Sequence, residues 1–283
     1  MGNTKISRRR FLGLTLSAAA ATSAYNLGVT QRHVSATTTD IEILNLPENF
    51  DGYKIVQLTD FHRSRWISEE HIREAGDLAR SLEPDLVVFT GDMVTGYAGQ
   101  VWSCLDAVGY IPSPGGSFAV LGNHDWWSDH MMIRNALETA GITVLSNTSI
   151  RLGHGGNHIW LLGVEDLWSR MASIAGACSG VDDSAPRIML CHNPDILPSA
   201  ARVGVDLVIS GHTHGGQVCL PGVGPLVLPI QGSRELASGL HRRGKTQIYV
   251  SRGIGMVTPP IRVCCPPEVS LFRLIRREII RTV

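Results

Sequence analysis

The chain has 283 residues, 43% apolar and 18% charged, with 25 basic residues balanced by 25 acidic ones. Such a composition excludes disordered, fibrous and collagen-like classes and supplies enough apolar side chains for a sizeable core. Zero net charge, with basic residues in short clusters such as Arg242-Arg243-Lys245, offers no stripe for a phosphate backbone, so no nucleic-acid partner is expected.

Residues 1–36 differ in composition from the rest. Lys5, Arg8, Arg9 and Arg10 precede Phe11-Leu12-Gly13-Leu14-Thr15-Leu16 and an Ala/Ser/Thr stretch to Ala24, the layout of an export signal. The apolar run falls short of the ~20 residues that a membrane span needs. Ser7-Arg8-Arg9-Arg10-Phe11-Leu12 resembles the twin-arginine signal S-R-R-x-F-L, an address read by a receptor. The twin-arginine (Tat) machinery is therefore an expected partner, and the periplasm or cell envelope the expected location. Cleavage is expected after Ala24 or Ala36, with one domain over residues 37–283.

From residue 41 onward, short apolar runs recur at Ile55–Leu58, Leu86–Phe89, Phe118–Leu121, Ile159–Leu162, Ile188–Leu190, Leu207–Ile209 and Ile248–Val250. Each is short and rich in branched side chains, as buried strands are. Ser68, followed by Glu69 and Glu70, is placed to cap a helix that turns Ile72, Ala75, Leu78, Ala79 and Leu82 to one side and ends before Pro84. A second helix is expected over Asp129–Thr139, stopped by Gly141. Strands alternating with helices predict an α/β fold with parallel pairing, in which ligands gather at the carboxyl ends of strands. The six cysteines, Cys104, Cys178, Cys191, Cys219, Cys264 and Cys265, lack C-x-x-C spacing and are expected to be mostly buried free thiols.

At those carboxyl ends stand Asp60-Phe61-His62, Gly91-Asp92, Gly122-Asn123-His124-Asp125, His192 and Gly211-His212-Thr213-His214. A single His or Asp after a strand is usually a capped turn; five such segments in succession point to metal ligation. Residues one apart on an extended backbone project to the same side, so D-x-H and H-x-H converge pairs of donors on one place. The H-x-H pair is read as one imidazole for each of two neighbouring metals.

These segments, in this order, resemble the calcineurin-like metallophosphoesterase superfamily, with its D-x-H, G-D, G-N-H-[DE], H and G-H-x-H pattern. Similarity to its exported bacterial YkuE/YaeI-like branch continues through Leu220-Pro221, Gly239-Leu240 and Tyr249–Gly255. The resemblance implies a β-sandwich of two mixed sheets flanked by helices, with a dinuclear metal site at the strand ends. It assigns Asp60, His62 and His214 to one metal, Asn123, His192 and His212 to the other, and Asp92 to both. Two divalent ions, Mn, Zn or Fe, would be held, and a metal-bridging hydroxide would attack a phosphomonoester or phosphodiester. His124 is implied as general acid or donor to the leaving oxygen, with Asp125 orienting it. Arg63 is a candidate for substrate phosphate. One departure stands out: Asp92 is followed by Met93-Val94-Thr95, without the further carboxylate that many relatives carry there.

The resemblance also admits a UDP-diacylglucosamine-type lipid-precursor pyrophosphatase, which export would separate from its cytoplasmic substrate, and a non-catalytic envelope metal-binding protein, which the full set of ligands disfavours. His33, His71, His130, His154, His158 and His241 fit no ligand spacing. Trp126-Trp127 are read as pocket wall or core, Glu165-Asp166 as neighbours of the ligands, and Cys191 as a small apolar packing residue. The tail Phe272–Ile280 is expected to be a docked strand and helix, with association to an anionic membrane surface as its alternative. Oligomeric state is not legible.

Overall fold

A computed structural model describes residues 7–17 and 33–277. Among these, the strands in chain order are β1 (Ser35–Leu44), β2 (Lys54–Leu58), β3 (Leu86–Phe89), β4 (Ser117–Ala119), β5 (Thr143–Val144), β6 (Thr148–His154) and β7 (Asn157–Gly163). They continue with β8 (Arg187–Leu190), β9 (Leu207–Ser210), β10 (Cys219–Leu220), β11 (Gly224–Pro225), β12 (Gly239–Arg243), β13 (Thr246–Val250) and β14 (Glu268–Arg277). One six-stranded sheet has the order β1-β14-β2-β3-β4-β5 and the other β12-β13-β9-β8-β7-β6, while β10 and β11 form a separate ribbon. Both large sheets are mixed: β14 runs antiparallel to β2 in the first, and β6 and β12 run antiparallel to their neighbours in the second. This is the two-sheet α/β sandwich that the resemblance implies.

The continuous apolar runs follow from burial on both faces. Ile55, Leu86, Val88, Ile188, Leu190, Leu207 and Ile209 point between the sheets, whereas Val56, Val87, Met189 and Val208 point outward under helices. Each such side chain contributes roughly 1.5–3 kcal/mol when fully buried. The helix Glu69–Ser81 starts where Ser68 Oγ accepts the His71 N–H at 3.2 Å, and it buries Ile72, Ala75 and Ala79. The helix His130–Thr139 is capped by Asp129, which accepts the Met132 N–H at 3.0 Å.

Three differences from expectation concern chain ends and cysteines. β1 begins at Ser35, two residues ahead of position 37. Residues 8–17 are helical and exposed; the Ala24 cleavage position lies outside the described residues. The tail is a strand through Arg277, wedged between β1 and β2, with Phe272 and Leu274 buried between the sheets; residues 278–280 lie outside the described residues. Those two apolar side chains are thus committed to the core and not to a membrane face. All six cysteines are free thiols, but only Cys104, Cys191 and Cys265 are buried, Cys264 being exposed. No helix among the described residues is long and apolar enough to cross a membrane.

Candidate metal centre

Five loops bring the polar side chains together, three following β2, β3 and β4 of the first sheet and two following β8 and β9 of the second. Backbone clasps fix their spacing: the Asp60 N–H donates to Gly91 O at 2.9 Å, the His62 N–H to Asp92 O at 3.0 Å, and the Gly211 N–H to His192 O at 3.0 Å. Beneath them, Gln57 Nε2 donates to Thr90 Oγ1 at 2.7 Å and to Ser210 O at 2.9 Å, tying one sheet to the other. Glycine is required where the loops touch: a Cβ on Gly91 would strike the Gly122 backbone, and one on Gly122 the Asp92 carboxylate.

The local geometry differs from the extended backbone inferred for D-x-H and H-x-H. Asp60, His62, Asp92, His212 and His214 all have positive φ, between 46° and 72°. The donors converge through left-handed residues that alternate with ordinary ones, a conformation that costs about 1–3 kcal/mol per position and persists where surrounding structure enforces it.

Asp92 Oδ2 lies at the middle, 3.4 Å from His62 Nε2 and 3.2 Å from His192 Nε2. On one side, His62 Nε2 faces His214 Nε2 at 3.0 Å, with Asp60 Oδ1 at 3.3 Å from His214 Nε2. On the other, the His192 and His212 rings meet edge-on with centroids 5.0 Å apart. Ligand atoms of Asp60, His62 and His214 lie within 4.8 Å of one another, as do those of Asp60, Asp92 and His192, and of His62, Asp92 and His124. Asn123 and His212 line the same cleft, a cavity of about 320 Å³.

This donor set fits divalent cations. Buried Asn123 Oδ1 and His192 Nε2 have no hydrogen-bond partner, a costly state for polar atoms unless a cation takes their lone pairs. The tautomers agree: His192 Nδ1 bonds Thr90 O at 2.6 Å and His212 Nε2 bonds Pro229 O at 2.8 Å. A carbonyl only accepts, so those nitrogens carry the protons and His192 Nε2 and His212 Nδ1 carry the lone pairs. Thr95 Oγ1 bonds His62 Nδ1 at 2.7 Å, so a hydroxyl orients this imidazole in the segment that lacks a further carboxylate.

Burial and neighbouring positive groups push His62 and His212 down to about 3, and His214 well below its ordinary value, keeping all three imidazoles neutral as ligation requires. Burial pushes the Asp60 carboxyl up to about 6. Burial also opposes the Asp92 anion, but His192, His62 and His124 outweigh it and hold Asp92 well below the carboxylate range. His192 moves the opposite way: against the effect of its own burial, Asp92, Asp60 and Asp166 raise it, so these carboxylates favour a positive charge at Nε2, whether a proton or a metal ion in its place.

His124 sits half-buried on the cleft wall, its ring 4.8 Å from that of His62 and 4.9 Å from that of Trp127. Asp125 does not orient it. Asp125 Oδ2 accepts the Asp92 and Gly122 N–H groups at 2.8 and 2.9 Å, and Oδ1 accepts the Met93 N–H at 2.8 Å, so this carboxylate clamps the two loops and has a positioning role. Arg63 also departs from expectation: its guanidinium donates to Ser64 O, Ile67 O, Ser103 Oγ and Glu69 Oε1. Those bonds, to its own loop and to the helices that carry Glu69 and Ser103, leave it outside the cleft lining.

The tryptophan pair divides its work. Trp126 stacks on His130 and donates Nε1–H to Glu165, while Trp127 is 59% exposed on the cleft wall and stacks on Trp168 at 5.9 Å. Trp168, overlooked in the sequence, meets His212 edge-on at 4.6 Å and is held by Asp166 Oδ2, which accepts its N–H at 2.7 Å. Cys191 is buried among apolar side chains, as expected.

Arg262 was equally hard to foresee, although a lone cation inside Pro259-Pro260-Ile261-Arg262-Val263 is a signal of sorts. It is fully buried behind the cleft and donates to the carbonyls of His214, Arg252, Gly253, Gly255 and Cys265. Arg262→Met should therefore destabilise the fold by at least ~3 kcal/mol, since each buried acceptor left unpaired costs ~1–3 kcal/mol. Urea unfolding measures this, and an unchanged midpoint would show that water can replace the guanidinium.

A two-sheet sandwich that gathers carboxylate, carboxamide and imidazole donors at strand ends from both sheets defines a metal-dependent phosphoesterase. The profile of the calcineurin-like phosphoesterases matches residues 53–216, more than half of the chain, and the protein belongs to this family. It is 34% identical over 282 residues to the Bacillus subtilis uncharacterized metallophosphoesterase YkuE, covering 95% of this chain and 98% of that one. It is 33% identical over 282 residues to the Escherichia coli phosphodiesterase YaeI, covering 95% of this chain and 100% of that one.

Proposed function

We propose that this protein hydrolyses a phosphodiester at two divalent cations, one held by Asp60, His62 and His214, the other by Asn123, His192 and His212, with Asp92 shared. The observation that carries the reading is the pair of buried, unpartnered donors, Asn123 Oδ1 and His192 Nε2, in a cluster centred on Asp92 Oδ2. Preference for a diester is supported by the full-length similarity to a protein named a phosphodiesterase. The cations would supply positive charge for the phosphoryl oxygens and acidify water.

The chain's own groups do the rest. Asp60 and Asp92 carry two negative charges against the +4 of two divalent ions, leaving the site attractive to a phosphate. Asp125 keeps the Asp92 loop in register. His124, on the cleft wall, is placed to give a proton or a hydrogen bond to the leaving oxygen. Trp127 and Trp168 form an apolar wall that limits water beside the ester. The twin-arginine-like leader supports export to the cell envelope, and with it a substrate found there.

Metal analysis of the purified protein tests the reading, with turnover of a mono- and a diester measured before and after chelation. Chelation should abolish turnover, and Mn, Zn or Fe should restore it with about two ions bound per chain. Hydrolysis that survives complete metal removal would refute the proposal.

A further inference from the structure

His214, Pro229, Val257 and Thr258 of the metal cleft also wall a second cavity of about 350 Å³, so the two hollows adjoin. Its remaining walls include Val218, Leu226, Val227 and Pro259, and no charged side chain lines it. Two of its polar residues, Gln217 and Thr213, are committed elsewhere. Gln217 Nε2 donates to Val257 O at 3.2 Å and Pro259 O at 3.1 Å, and its Oε1 accepts the Val257 N–H at 2.7 Å. Thr213 Oγ1 donates to Ala237 O at 2.7 Å. Gln217 therefore builds the groove while presenting little polarity to it. The same segment leaves Leu220, Val223, Leu226 and Val227 exposed, the last at 74%, which is an unusual density of apolar side chains in water.

We infer that this groove takes an aliphatic chain of the substrate, which makes the substrate class phosphodiesters with a fatty alcohol or acylglycerol substituent. The inference rests on the phosphoesterase reading above. A phosphate at the metal cleft brings one ester arm to the wall that both hollows share at His214 and Pro229. A sugar or a base in that position would leave its hydroxyls or amides without partners, at ~1–3 kcal/mol each. A methylene chain loses nothing there and gains from leaving water.

A series of p-nitrophenyl n-alkyl phosphates, methyl to decyl, tests this with the metal-loaded full chain below micellar concentrations. The value of kcat/KM should rise about two- to fourfold per methylene over the first several carbons, fourfold being the limit of full burial. Affinity for n-alkylphosphonates, measured by calorimetry, should climb with the same slope. Leu226→Asp and Val227→Asp should flatten both series while leaving the methyl ester rate and Tm unchanged. Hydrolysis that ignores chain length, or a slope that survives both variants, overturns the groove and leaves the phosphoesterase reading intact. Failure to hydrolyse any member overturns both.

Discussion

Asp92→Asn is expected to yield a folded protein that has lost both metals and with them its turnover. The change is nearly isosteric. The retained amide oxygen can still accept the His124 N–H, which Asp92 Oδ1 now accepts at 2.9 Å, so the loop keeps its anchor. The other position becomes an NH₂ group set between His62 Nε2 and His192 Nε2, where the carboxylate oxygen is 3.4 and 3.2 Å away. An amide nitrogen has no lone pair to give a cation, and one negative charge is gone from the centre of the site. Outer partners of metal ligands already cost ~10–100-fold in affinity when removed, so loss of a carboxylate shared by two ions should exceed ~100-fold. Metal content per chain by mass spectrometry, beside circular dichroism, measures both halves of the prediction. Two tightly held ions in the folded variant would remove Asp92 from the bridging position.

His124→Asn should separate chemistry from metal binding. Its ring nitrogen comes within 4.8 Å of ligand atoms of His62 and Asp92, so geometry alone permits it to be a ligand as well as an acid. If it serves the leaving oxygen, the variant keeps both ions and turnover falls by ~10²–10⁴, the scale of acid–base assistance. The loss should be smallest for esters whose leaving alcohol is already acidic, because p-nitrophenolate needs little help to depart. Loss of one ion in step with activity would instead make His124 a third imidazole on the metal beside His62.

What could be read in advance divides along a physical line. β2, β3, β8 and β9 announce themselves because both of their faces are buried, so their runs are nearly all apolar, Gln57 of β2 being a polar exception that ties the sheets together. β1, β6 and β12 are the outer strands of their sheets and alternate or turn polar, and they carry no such mark. The metal cluster was legible because strand ends in this kind of fold face one crevice, which lets a list of short motifs be turned into a place. Its details were not. Asp125 follows His124 in the chain but points back to the backbone of Asp92 and Met93, and only the capping geometry of the short helix Asn123–Ser128 shows it. Arg63 was a plausible phosphate clamp by position alone, yet two carbonyls, a hydroxyl and a carboxylate of nearby residues claim its donors first. Left-handed backbone at five donors, the Trp168 wall and the apolar groove are long-range outcomes that no local pattern encodes.

The pairing of β1 with β14 joins Ser35 to Glu268 and Leu44 to Arg277, and β14 in turn holds β2. A ribosome must therefore synthesise the chain as far as residue 277 before β1 can find its full seat. Until then Ile41 and Ile43 lack the strand that pairs with theirs. The edge of this sheet therefore closes late, because its outermost strand, β1, waits for β14, the last of the described strands.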